Sequence, residues 1–160
     1  MYSHLGYNLK ATDMQAAIGV EQLKKLPGFI ASRNRNWEYL REKFLERGLD
    51  KYLVLPETSA NSNPSWFGFA LTVREESLRT RDEITRYLEE HNVQTRLLFS
   101  GNITMHPCFD ELRESDDYRV IGNLVCTDYI MENTFWIGVH PGMNKDMLDY
   151  MVKCISEVFD

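Results

Sequence analysis

The hydrophobic pattern along the chain changes period several times, and each change marks an element. From Asp13 to Leu26 apolar residues fall at helical intervals, with Ala17, Val20 and Leu23 three apart and Ile18 widening the face. Thr12 and Gln15 before them have the spacing of a capping box. Pro27-Gly28 is expected to break the direction. A second helix resumes at about Phe29, where Ile30, Trp37 and Phe44 repeat among Arg and Glu until Gly48 closes it. Short runs follow: Tyr52 to Leu55 ended by Pro56, a polar loop, then Ser65 to Val73. Strand alternation puts Trp66 and Gly68 on one side of that run and Phe67, Phe69 and Leu71 on the other. Thr80 with Glu83 makes a second capping box and starts a helix to about His91. Val93 to Phe99 reads as a strand, Asp116 to Met131 as a helix and Thr134 to Val139 as a short strand. Asn144 caps a last helix with an apolar stripe of Met147, Leu148, Met151, Val152, Ile155 and Phe159.

The order is two helices and then β, β, α, β, α, β, α. It predicts an α/β fold, a small α/β sandwich with a short mixed sheet and helices on one face, preceded by a helical arm. The arm is assigned to residues 1–48 and the small domain to residues 49–160. At 160 residues the chain is long enough to bury one core of its own. The capped loop at the very start, Tyr2 to Thr12, is unusual, because chain ends fray unless tied down. It suggests the tail of a longer polypeptide, or else a short module that pairs with another subunit. Small residues at Ala16, Ala17 and Gly19 leave room for a close neighbour on the first helix, whether another domain, a second subunit or a helix of the same chain.

Composition narrows the classes of function. The formal charge is −6 and the basic residues are scattered, which argues against a nucleic-acid partner. Arg33, Arg35 and Arg41 read as a solvated helix face. Cys108, Cys126 and Cys154 are too few and too far apart for a zinc knuckle, a disulfide framework or a complete iron–sulfur site. No apolar run approaches the roughly 20 residues of a membrane span, and no basic and apolar leader opens the chain. The expectation is a cytoplasmic protein with no membrane partner.

No nucleophile motif, phosphate loop or metal-ligand spacing is present, and His4, His91, His106 and His140 are scattered. Two clusters carry what chemistry there is. Tyr7, Asn8 and Lys10 stand in the capped loop. Trp66 and Phe67 stand at one strand end, with Arg96 on and Asn102 just beyond another. Aromatic faces, a guanidinium and an amide suit an anionic, ring-bearing ligand; packing and ordinary Gly-Asn turn chemistry at Gly101-Asn102 are the alternative.

The stretches GYNLKATDMQAAIG, PSWFGFALTV, TRLLFSGN and TFWIGVHPG resemble the DegT/DnrJ-type branch of the fold-type I pyridoxal phosphate enzymes. Within that branch they are most similar to the CDP-4-dehydro-6-deoxyglucose 3-dehydrase group of lipopolysaccharide O-antigen biosynthesis. The resemblance runs from Tyr2 to about Phe159 and covers only the C-terminal part of such an enzyme. It implies the fold of the C-terminal domain of fold-type I aminotransferases. It also implies a pyridoxamine or pyridoxal phosphate cofactor bound mainly by residues upstream, with a two-iron cluster upstream in some members. Neither group is expected on this chain alone, which is expected to be inactive by itself and to carry no catalytic residue. The resemblance assigns Asn8 to the cofactor phosphate of the neighbouring subunit of a homodimer. Tyr7, Lys10, Trp66, Phe67, Arg96 and Asn102 are assigned to the nucleotide sugar, with Phe67 beside the reacting ring. Relatives that transfer amino groups tend to have histidine near Phe67, so an aromatic hydrocarbon there leans towards loss of the sugar's C3 hydroxyl over amino transfer. His106 stands where glutamine is more usual. The alternatives are a keto-sugar aminotransferase of the same family and a truncated, non-catalytic dimerisation module.

Overall fold

The computed structural model describes residues 6, 7, 9–114 and 118–160, and in it the two leading helices are one. Helix α1 runs from Asp13 to Glu46. Its start is the expected capping box: Thr12 Oγ1 accepts from the Gln15 N–H (3.4 Å) and Gln15 Oε1 accepts from the Thr12 N–H (2.9 Å). Pro27 lies inside the helix, which corrects the expected break. Proline already holds a helical φ, so within a long helix it removes one hydrogen bond and strains one turn while the flanking turns continue. The two halves of α1 live in different surroundings. Residues 11–29 are exposed on every side, whereas Asn36, Trp37, Leu40 and Phe44 are buried. The first half is an arm and the second a core helix. Gly48, at φ +65°, then turns the chain in the left-handed region where a Cβ would be strained.

The sheet has four strands in the order β1 (Leu53–Val54), β2 (Gly68–Val73), β4 (Thr134–Gly138) and β3 (Thr95–Leu97). Every neighbouring pair is antiparallel, so the sheet is not mixed as expected. The reason is topological. Helix α2 (Arg81–Glu90) carries the chain from β2 to β3 so that these strands run the same way, and β4 then enters between them, opposed to both. Phe69, Leu71 and Val73 of β2 and Phe135 and Ile137 of β4 face inward. They meet Leu40 and Phe44 of α1, Ile84 and Leu88 of α2, and Leu148, Met151, Val152 and Ile155 of α4 (Lys145–Phe159). Each such side chain contributes about 1.5–3 kcal/mol on burial, and together they hold three helices on one face of the sheet.

Helix α3 spans Val125–Asn133, shorter than expected and starting later. Gly122 at φ +73° ends any helical path before it. Tyr129 Oη donates to the Val73 carbonyl at 2.7 Å, tying α3 to the end of β2. Among the described residues no helix is long and apolar enough to cross a membrane.

Candidate ligand groove

Strand register builds the site. On the face of the sheet turned away from the core, Ala70 of β2, Trp136 of β4 and Arg96 of β3 stand side by side across three strands. Directly opposed side chains have Cβ atoms about 5 Å apart, so Arg96 is carried next to the Trp136 indole. Gly68, one pair along, leaves space for that ring. A Cβ there would lie 2.5 Å from Trp136 Cε3.

Phe67 completes the aromatic wall. It is 65% exposed, and its ring lies 5.0 Å from that of Trp136 at a tilt of 50°. The alternation expected for this run fails at its entrance, because the strand begins only at Gly68. Trp66 turns towards the core, where its ring stacks on Trp37 at 4.3 Å and 3°, an arrangement worth about 0.5–1.5 kcal/mol beyond area. Phe67 turns the other way and shares the Trp136 side with Gly68. Backbone polar groups at this entrance are held by α1: Arg33 Nη1 donates to the Trp66 carbonyl and Asn34 Oδ1 accepts from the Trp66 N–H, both at 3.4 Å.

These residues open onto a groove of about 520 Å³ whose lining includes Arg33, Phe67, Arg96, Trp136, His140 and Tyr150. Among the described residues no carboxylate and no lysine stand in that lining. An acidic chain thus presents a cationic, aromatic groove. Arg33 Cζ lies 5.8 Å from the Phe67 ring centroid, a cation–π distance worth about 0.5–1 kcal/mol at an exposed site. With its amide oxygen turned inward, Gln94 accepts from Arg96 Nη2 (2.9 Å) and Nη1 (3.1 Å), which steadies the guanidinium. His140 is engaged in its own turn, Nδ1 accepting from the Gly142 N–H at 3.0 Å. Tyr150 Oη donates to the His91 carbonyl at 3.1 Å, and interaction with the Cys154 thiol, then burial and the nearby Glu157, push its phenol above the ordinary range. The arrangement can bind charge and rings. Among the described residues its lining offers no nucleophile with an adjacent base.

The structure brings three of the expected site residues towards one place: Phe67 and Arg96 line the groove, and Trp66 backs it. Asn102 is buried, and its side chain is spent shaping its own loop and tying it to α3. Nδ2 donates to Asp128 (2.6 Å), while Oδ1 accepts from the Thr104 N–H (3.1 Å) and hydroxyl (2.6 Å). His106 Nε2 meets the Ser100 carbonyl at 2.9 Å in the same loop. Tyr7, at 93% exposure, and Lys10 precede the arm. At 1.5 Å per residue the arm separates them from Arg33 by roughly 30 Å, so one chain does not gather both clusters. Asn8 lies outside the described residues. Arg33 and Trp136 are among the groove residues that escaped the sequence reading. Arg33, read there as part of a solvated face, is half-buried one turn before Trp37 on the same stripe, and that spacing was its signal. Trp136 could be placed only by register.

Fold and groove together define a small antiparallel α/β domain with an aromatic wall flanked by arginines. The chain belongs to the DegT/DnrJ/EryC1/StrS aminotransferase family, whose model matches residues 1–156. It is 46% identical over 156 residues to a dTDP-4-dehydro-2,6-dideoxy-D-glucose 3-dehydratase of Saccharopolyspora spinosa, covering 98% of this chain and 32% of that protein. It is also 46% identical over 158 residues to the lipopolysaccharide biosynthesis protein RfbH of Salmonella typhimurium, covering 99% of this chain and 35% of that protein. Among solved structures, the Escherichia coli GDP-4-keto-6-deoxy-D-mannose-3-dehydratase with bound hydrated PLP superposes with a TM-score of 0.78 at 32% identity, over 97% of this chain and 37% of that one. The chain therefore spans about a third of the length of the relatives it matches.

Proposed function

We propose that this chain is the C-terminal portion of a pyridoxamine phosphate-dependent nucleotide-sugar 3-dehydrase, acting on a CDP-4-keto-6-deoxyhexose in the making of O-antigen dideoxysugars. The observation that carries the reading is the groove: an aromatic pair, Phe67 and Trp136, flanked by Arg33 and Arg96 in a chain of net charge −6. A nucleoside diphosphate sugar has the matching parts, since its diphosphate is a strong acceptor for guanidinium and its rings pack on aromatic faces. The named 3-dehydratase at 46% identity supports dehydration over amino transfer.

Among the described residues the groove lining does not fit the pyridine end of the cofactor, having no carboxylate for a ring nitrogen. What these residues do is bind and shape. Arg33 and Arg96 take the ligand's negative charge, Phe67 and Trp136 form a wall that excludes water from one side, and Trp66 supports that wall from behind. Asn102 sets the loop rather than touching the ligand. Tyr7 and Lys10 precede the arm, where a second copy of the chain would bring them to its partner's site; the resemblance assigns Asn8 to the cofactor phosphate there, as a neutral amide donor. Such a protein would be a homodimer of the cytoplasm.

A chimera tests the reading. Placed in the Salmonella relative in exchange for its matching C-terminal third, this chain should support loss of one water from CDP-4-keto-6-deoxyglucose, detected by mass spectrometry. Formation of a 4-amino sugar from an amino donor would instead establish the aminotransferase reading. A folded chimera that binds cofactor and does neither would leave the chain a non-catalytic module.

A further inference from the structure

Phe67 is a large apolar side chain held two-thirds exposed, and the residues that hold it there are not its own neighbours in the strand. Its own carbonyl accepts from the Val139 N–H just past β4 at 3.1 Å; the rest come from α1, at the point where its buried stripe ends. Along that stripe Phe44, Leu40 and Trp37 are buried, and Arg33 is the next position towards the arm. Arg33 Nη1 reaches the carbonyl of Trp66, the residue before Phe67, while its Cζ lies 5.8 Å from the Phe67 ring. Asn34 takes the Trp66 N–H and Trp37 takes the Trp66 indole. Trp66 is thus gripped at carbonyl, amide and ring, which leaves the Phe67 side chain directed at Trp136.

We propose that Arg33 is the positioning residue of the groove, fixing Phe67 against Trp136 through its grip on Trp66, and that its guanidinium also takes part of the charge of an anionic ligand. The second half rests on the function proposed above; the first does not. A planar, forked guanidinium is required for both, because it donates in its own plane and lies over a ring with its face. Lysine keeps only the charge.

The experiment compares the 160-residue chain with its Arg33→Met and Arg33→Lys variants. The first readout needs no ligand: nuclear Overhauser contacts between the Phe67 and Trp136 rings, with those between Phe44 and Phe69 as a control for the core, whose rings lie 5.2 Å apart. The second is the affinity for CDP by calorimetry. Both variants should lose the Phe67–Trp136 contacts and keep the control. Affinity should fall about tenfold in the methionine variant, the loss of one charged contact, and less in the lysine variant. Unchanged Phe67–Trp136 contacts in the lysine variant would overturn the positioning role whatever the affinities. Displaced Phe67 with no CDP binding even by the unaltered chain would support the positioning role while sinking the ligand role and the groove reading behind it. Equal CDP binding by all three would overturn the ligand role alone.

Discussion

Gly68 shows how much one missing methyl group decides. It stands in a strand at ordinary extended geometry, and what excludes a side chain there is the Trp136 ring lying across it. Gly68→Ala should cost about 1–3 kcal/mol, the usual penalty of an overfilled contact, measured by urea unfolding. It should also shift the tryptophan emission as Trp136 moves from the groove wall. A carboxylate makes a second residue-scale prediction. Glu89 accepts from both the N–H and the hydroxyl of Thr95, and those hydrogen bonds, the backbone one first, hold its pKa below the ordinary glutamate value. A depressed pKa adds stability that is present above the unfolded-state value and is lost as pH falls through the folded-state value. Glu89→Gln should therefore flatten the acid limb of a stability profile between neutral pH and the low end of the carboxylate range, with β3 the first strand to lose amide protection.

At the scale of elements, α1 carries three helix-weakening residues in its exposed half, Gly19, Pro27 and Gly28, and remains one helix. Gly28 has open space where its Cβ would be, so Gly28→Ala should stabilise the arm by about 1 kcal/mol at no steric cost. Pro27→Ala should add up to about 3 kcal/mol by restoring an N–H and removing a clash. Hydrogen exchange across residues 13–30 would register both as slower exchange, with the rate at Leu40 and Phe44 unchanged. Slower exchange of the buried half as well would mean that the arm and the core half of α1 unfold as one unit. Helix α2 was legible down to its cap: Thr80 and Glu83 bond reciprocally as their spacing required. The expected break at Pro27-Gly28 and the early start of α3 were misread for one reason. Local signals rank conformations by tenths of a kcal/mol to a few, and neighbouring turns or a single left-handed glycine such as Gly122 can reverse the ranking.

At the scale of the whole molecule, the arm is the unsolved surface. Met14, Ile18, Val20, Leu23, Leu26 and Phe29 are all exposed on it, in a protein whose other large helices bury an apolar stripe. A helix apolar on most of its circumference belongs against another surface. The chain should self-associate through it, and Leu23→Glu should shift sedimentation equilibrium towards monomer. An unaltered chain that stays monomeric at high concentration would count against this.

The sequence by itself determined the order of elements after the leading helix, the capping boxes at Thr12 and Thr80, the apolar stripe of the last helix and the family, because these depend on residues close together in the chain or on runs of residue types. Phe67 and Arg96 were also visible there as candidates. Only the tertiary structure decided that the sheet is antiparallel throughout, that Trp66 turns to the core and Phe67 to the groove, that Asn102 ties its loop to α3, and that Arg33 leaves the solvated face to join Trp136 at the site. Those outcomes depend on β4 entering between β2 and β3, a choice made by packing among residues far apart in the chain, and no local pattern encodes which strand will slip between which.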